Sequence, residues 1–387
     1  LSKTMLKDRF QKMLRAAFEL GSSDVHIVPG EPVRIRVDGE LRILTENPDS
    51  AANCFSSGET EALVREMLSE SAWEIFLNRG SADGAFTFED RDRIRFNIFR
   101  QGGRTALALR RLDNKFRSLE ELGLSDELLR VCQFKYGLVL IAGPTGSGKS
   151  TTLATLLDQI NQTRSCHIIT IENPVEYIHK SSKSLVSQRQ IGIDCPRFDQ
   201  ALVDALRQDP DVILVGEIRD LDTIRTAITA AETGHLVFAS VHAGDAVGAI
   251  ERLVGVFPAE EQTAVQRLLG MVVRCIVAQH LIAASVTTAD SRSRSFSKNG
   301  QQKQKTGNSG GRVLASEVLW GTPAVSNLIA SGQTRQLVSI MEAGANDGMV
   351  TLDSSLVQLF RQRRIPESVV RSLARNPQLA LERARNR

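Results

Sequence analysis

Leu6, Phe10, Leu14 and Phe18 recur every four residues, so one face of residues 4–20 is apolar and an amphipathic helix is predicted there. The pattern then changes to alternation. SDVHIV at 23–28 and VRIRVDGELRIL at 33–44 turn every second residue to a buried face, with Asp38-Gly39 as the hairpin turn between two strands. Residues 59–78 return to helical spacing through Leu63, Met67, Ile75 and Phe76. GAFTF at 84–88, RIRFNIFR at 93–100 and TALALRRL at 105–112 read as further strands joined by loops rich in Arg and Gly. Together these elements predict a small α+β domain over residues 1–112, followed by a linker over 113–136.

From Gly137 the runs become continuous. LVLIAG (138–143), HIITIE (167–172), VILVGE (212–217) and LVFASV (236–241) are short and almost wholly apolar, with helical segments between them. Such runs suit strands covered on both faces, which predicts an α/β core with a mainly parallel sheet over residues 137–284. Residues 285–311 are polar and of low complexity and predict a mobile loop. VLASEVLW (313–320) resumes with a strand, and short helices fill the rest of residues 312–387.

Composition narrows the class. Of 387 residues, 42% are hydrophobic and 24% charged, the balance of a soluble globular chain long enough for more than one core. The 48 basic and 45 acidic residues leave a net charge of +3, too little to imply a nucleic-acid or membrane partner. Cys54, Cys132, Cys166, Cys195 and Cys275 are scattered, with no CxxC pair, so neither a disulfide framework nor a cysteine zinc site is expected and a reducing cytoplasm fits. No signal-peptide core is legible near Leu1. The best apolar stretch, MVVRCIVAQHLIAA at 271–284, contains Arg274 and His280 and is too short to span a bilayer.

The chemistry centres on one loop. Gly143, Pro144, Thr145, Gly146, Ser147, Gly148, Lys149 and Ser150 match G-x-x-x-x-G-K-[ST], between a strand and a helix that continues through Thr151. Glycines let backbone N–H groups converge on phosphates, and the helix points its positive end at them. Lys149 reaches the β- and γ-phosphates and the Ser150 hydroxyl ligates Mg²⁺. ATP and Mg²⁺ are therefore the expected ligands. Glu217 follows a buried strand, where an acidic group can sit beside Mg²⁺ and water. Glu172 and Glu176 follow another, and one of them is expected to orient or deprotonate the attacking water. His235 and His242 flank LVFASV. No further ligands with metal spacing accompany them, so γ-phosphate or interface sensing is expected in place of zinc.

Four stretches in this order, GPTGSGKST, ITIENPVEY, RQDPDVILVGEIRD and TAAETGHLVFASVHAGDA, resemble the Walker A, Asp box, Walker B and His box of the secretion ATPase superfamily. SSDVHIVPGEPVRIRVDGEL near the start, with FPAEEQ, GTPAVSNLI and GMVTLDSSL towards the end, looks most like its pilus retraction (PilT) branch. The resemblance covers nearly the whole chain. It implies a PAS-like N-terminal domain on a RecA-type P-loop ATPase domain, with nucleotide between them, in a homo-hexamer. By position Glu176 is the catalytic Asp-box glutamate and Glu217 the Walker B glutamate near Mg²⁺. The family also brings arginines from the N-terminal domain to the phosphates, and Arg95, Arg100 and Arg110 are the candidates here, an Arg fork being suited to phosphate oxygens.

Three departures stand out: Asn173 replaces the usual Asp of IEDP, Ala243 replaces the usual Thr of LHT, and segment 285–311 is long. The four-cysteine zinc element and longer N-terminal region of the assembly branch are absent from this sequence. The reading is a cytoplasmic motor, peripheral to the inner membrane, that acts on a pilus platform protein beside related retraction or assembly ATPases and drives pilus retraction and twitching. A type IV or type II secretion motor is the nearest alternative. A nucleic-acid translocase is disfavoured because no stripe of aromatic and basic residues is present for stacking on nucleic acid.

Overall fold

The structure, a computed structural model, describes residues 3–37, 39–44, 54–89, 92–112, 115–285 and 311–385. The chain forms two compact units. One comprises residues 1–115, 171–180 and 188–201, the other residues 116–170, 181–187 and 202–387.

The first unit carries the helix Lys3–Glu19 and strands β1 (Asp24–Ile27), β2 (Arg34–Val37), β3 (Glu40–Ile43), β4 (Ser81–Phe88), β5 (Asp92–Gln101) and β6 (Arg104–Leu112). The six strands form one sheet in the order β3-β2-β1-β6-β5-β4, antiparallel throughout. The core is what the two periodicities demand. Leu6, Phe10, Met13, Leu14 and Ala17 of the helix pack with Val25, Ile27, Ile35, Ile94, Phe96, Ile98, Leu107 and Leu109 of the strands. Each buried Phe or Leu contributes about 1.5–3 kcal/mol. Phe18 completes the helix face and meets Phe88 edge-on at 6.0 Å. Gly39 takes the left-handed backbone (φ 86°) that the hairpin needs, while its partner Asp38 lies outside the described residues.

The single helix expected over 59–78 is two, Ser57–Met67 and Glu70–Arg79. Ser56 and Glu59 form a capping box on the first, and the Ser69 hydroxyl caps the second by accepting from Ala72 N, so a second start signal lies inside the apolar repeat.

The second unit carries most of a seven-stranded sheet in the order β13-β12-β7-β11-β10-β8-β9, with residues 171–172 of β8 and 188–190 of β9 counted in the first. The strands are β7 (Gly137–Ala142), β8 (His167–Glu172), β9 (Leu185–Gln190), β10 (Val212–Val215), β11 (Leu236–Val241), β12 (Val273–Ala283) and β13 (Arg312–Trp320). Strands β12, β7, β11 and β10 run parallel, and β13 returns antiparallel to β12. Every residue of β7, β10 and β11 is buried, as their apolar runs predict.

Two strands were not legible. In β12 a polar pair, Gln279-His280, interrupts the apolar pattern, and β9 is LVSQRQ, a sheet edge with little apolar signal. Residues 116–136, expected as linker, are folded within this unit as the short helix Leu119–Leu122 and a 3-10 segment Asp126–Gln133. Of the polar segment expected as a mobile loop, residues 286–310 lie outside those described.

His179, in the first unit, is buried, and burial pushes its imidazole down to about 4 from 6.5. Between these values the unfolded chain takes up a proton that the folded chain refuses, so stability is full above pH 6.5 and falls as pH drops towards 4. The expected loss over that window is about 3 kcal/mol. Urea unfolding at pH 7.5 and 5 checks it: His179→Gln should flatten this dependence, and an unchanged slope would assign it elsewhere.

Candidate functional site

In the second unit, strand β7 delivers the chain into the phosphate loop at the carboxyl end of the sheet, and the helix Lys149–Thr163 leaves it. Gly143, Gly146 and Gly148 have φ of 152°, 79° and 94°, values that a side chain would strain. A Cβ on Gly143 would come within 2.3 Å of Ser147 Oγ and 2.6 Å of Gln279 O. Gly148 is the N-cap of this helix and brings no side chain to its first turn, whose positive end faces the loop. Ser147 Oγ is buried and has no hydrogen-bond partner among the described residues. Lys149 Nζ donates to Gly143 O at 2.8 Å and Pro144 O at 3.0 Å, so its ammonium already sits at the lip of the loop. This cradle fits a nucleotide di- or triphosphate. Ser150 in the first helical turn and Glu217 beyond β10 would hold Mg²⁺.

Glu217 is half-buried. Its Oε1 lies 3.1 Å from His242 Nε2, and Arg219 forms a salt bridge with the same carboxylate. Burial and the nearby Lys149 charge hold the His242 imidazole below its ordinary pKa, against the pull of Glu217. His242 is thus biased towards the neutral ring, a donor that can report on a phosphate oxygen. His235 is placed differently. It precedes β11, at the amino end of the sheet, where its Nδ1 lies 3.0 Å from Ala230 O and its carbonyl accepts from Gly137 N at 3.0 Å. The six residues of β11 separate it from His242, about 20 Å. Within one chain it does not reach the phosphate loop.

In the first unit, Glu172 ends β8, and Asn173 and Glu176 lie on the segment that follows it. Gln188 Nε2 donates to Glu172 Oε1 at 3.2 Å and to Tyr177 O at 2.8 Å, while Gln188 Oε1 accepts from His179 N at 2.8 Å. Arg93 Nε donates to Val175 O at 3.1 Å, and Gln190 Oε1 accepts from Val175 N at 3.1 Å. Arg93 is half-buried beside Glu172, and burial holds its guanidinium below the usual value against the attraction of that carboxylate. Asn173 is exposed, so its loss of charge leaves no buried group unpaired.

The three candidate arginines do not share a face. Arg95 is exposed and lies directly across from Arg110, whose Nε is 2.7 Å from Asp24 Oδ1. Arg100, five residues along β5, has the opposite parity and stacks over Phe76 at 5.4 Å on the helix-covered side. Alternation alone separates Arg100 from Arg95 and groups Arg93 with Arg95, a signal in the sequence that the expectation did not use. Gln279 was also missed. It is fully buried on β12 and donates to Thr152 Oγ1 at 2.7 Å, tying the loop's helix to the neighbouring strand. A Gln beside His280 within an apolar run is its sign in the sequence.

Comparison with known proteins identifies the family and the fold. A family model described as "Type II/IV secretion system protein" matches residues 2–361. The type IV pilus retraction ATPase PilT of Pseudomonas aeruginosa is 39% identical over 367 residues, 95% of this chain and 98% of the relative. A twitching motility protein of Neisseria gonorrhoeae is 37% identical over 342 residues, 88% of this chain and 84% of the relative. The crystal structure of the pilus retraction motor PilT with bound ADP superposes with a TM-score of 0.82 at 38% identity, covering 96% of this chain and 98% of that one.

Proposed function

The chain belongs to the type II/IV secretion system protein family, and within it we propose that it is the ATP-hydrolysing motor that withdraws type IV pili. It is an ATPase. The observation that carries the pilus reading is end-to-end identity with a retraction ATPase, 39% over 95% of this chain and 98% of the relative. The catalytic set, Lys149, Glu176 and Glu217, is intact in the sequence.

Lys149 and the amides of residues 143–151 bind the triphosphate. Ser150 and Glu217 would hold Mg²⁺, which would supply positive charge to the phosphates. Glu176 takes a proton from the attacking water, and inorganic phosphate and ADP leave. His242 reads the state of the γ-phosphate. Arg95 and Arg110, on the PAS-like N-terminal domain, reach the phosphates when it closes on the RecA-type domain. Six copies in a ring convert this closure into movement of a platform protein at the cytoplasmic face of the inner membrane. Among the described residues no helix is long and apolar enough to cross a membrane.

Deleting the chain from its own host is expected to leave surface pili that no longer shorten. Loss of surface pili would place it in assembly, and normal retraction would place it in another machine. The arginines supply a second test. Arg95→Ala or Arg110→Ala should lower ATP turnover at least about 100-fold, because a supplied arginine carries transition-state charge in phosphoryl transfer. Arg100→Ala should stay within about twofold of the parent, its side chain lying on the other face of the sheet. Steady-state phosphate release on the purified variants decides, and equal effects at all the positions would remove the arginines from the mechanism.

A further inference from the structure

Glu317, on β13, is a fully buried carboxylate with no role in the chemistry above. Its Oε1 accepts from Ala246 N at 2.9 Å and lies 3.2 Å from Arg375 Nη2, while its Oε2 accepts from Leu352 N at 3.2 Å. The same Arg375 nitrogen is 2.8 Å from Asp245 Oδ2. Asp245 caps the helix Ala246–Gly255, its Oδ1 accepting from Gly248 N at 2.7 Å. Arg375 is held in turn by its own backbone, since Asp353 accepts from Arg375 N at 2.8 Å and from Asn376 N at 3.0 Å. Burial pushes the Glu317 carboxyl up, and the Arg375 guanidinium with the two backbone donors pulls it back.

These contacts converge on one short stretch. Asp245 and Ala246 follow His242 by three and four residues. Between them and His242, His280 Nε2 donates to Gly244 O at 2.6 Å. The loop that presents His242 to Glu217 is therefore pinned from β12, from β13 and from the C-terminal helices. A buried carboxylate is costly unless each oxygen is satisfied. Here both oxygens are used on the ends of two helices and on one guanidinium, an arrangement that fixes position.

We propose that Glu317, with Arg375 and Asp245, is a positioning clasp that sets the His242 loop against Glu217 and so lets the C-terminal region control the rate of ATP hydrolysis without touching ATP. The inference rests on the reading of Glu217 and His242 as parts of the nucleotide site. A plain structural ion pair would give a different result. Breaking one partner strands a buried charge and costs stability in either case, whereas removing both charges relieves that cost.

The test uses the full chain, with Glu317→Gln, Arg375→Met and the double variant. Melting temperature, ATP affinity by calorimetry and single-turnover hydrolysis are measured on each. The double variant should recover most of the melting temperature and bind ATP within about threefold of the parent, yet hydrolyse it at least about tenfold more slowly. His242→Ala should slow the parent but add less than about twofold in the double-variant background, because residues acting through one another are not additive. Hydrolysis that recovers together with melting temperature would overturn the clasp. So would ATP affinity falling in step with rate, or an equal cost of His242→Ala in both backgrounds. Glu217→Gln in the parent is the control: full turnover there would refute the site reading itself, separately from the clasp.

Discussion

Lys149→Ala is expected to lower ATP turnover by roughly 10³ and weaken ATP binding at least about tenfold. In the structure its ammonium donates to Gly143 O and Pro144 O at the lip of the loop. Phosphate oxygens would replace those carbonyls with only a side-chain rotation. Alanine leaves the backbone amides and the helix N-terminus in place, so some affinity should survive, while the mobile charge that follows the γ-phosphate is gone. Calorimetric titration and phosphate release separate the two losses. A further readout is independent of turnover. Lys149 helps to hold the His242 imidazole below its ordinary pKa, so its removal should move that pKa upward by NMR titration. Parent-like turnover in Lys149→Ala would sink the site assignment as a whole.

Glu176→Gln is expected to keep ATP binding and to lose at least about 10² to 10³ of the hydrolysis rate, the range of a general base. The substitution conserves shape and hydrogen-bonding reach but cannot accept the water's proton. Glu172 is the competing carboxylate and differs in its surroundings. It accepts from Gln188 at 3.2 Å and lies beside the half-buried Arg93, which ties it into the segment that carries both residues. Glu172→Gln should therefore disturb the segment mildly and leave most of the rate. Nucleotide retained after rapid filtration distinguishes the two: Glu176→Gln should hold ATP, and Glu172→Gln should release ADP. The opposite pattern would exchange their roles.

Much of the molecule is legible in the order of its amino acids. The apolar runs that start at 138, 212 and 236 become buried strands and the alternation at 33–44 becomes a hairpin, because side-chain period is a property of a local stretch of backbone, although β3 stays exposed along its whole length where none of the described elements covers it. The elements that depart from expectation are those where local signals compete or fade. Ser69 starts a second helix within an unbroken apolar repeat, and β9 carries almost no apolar pattern because a sheet edge does not require one.

By itself the sequence determined the phosphate cradle, since positive-φ glycines and a helix N-terminus are set within a dozen consecutive residues. It likewise determined the elements of both sheets that bury an apolar face. Only the tertiary structure decided the partners. Gln279 meets Thr152 across 127 residues and Arg375 meets Glu317 across 58. Which strands lie side by side is chosen by packing of the whole core, and a polar side chain inherits its partner from that choice. No spacing in the chain records it.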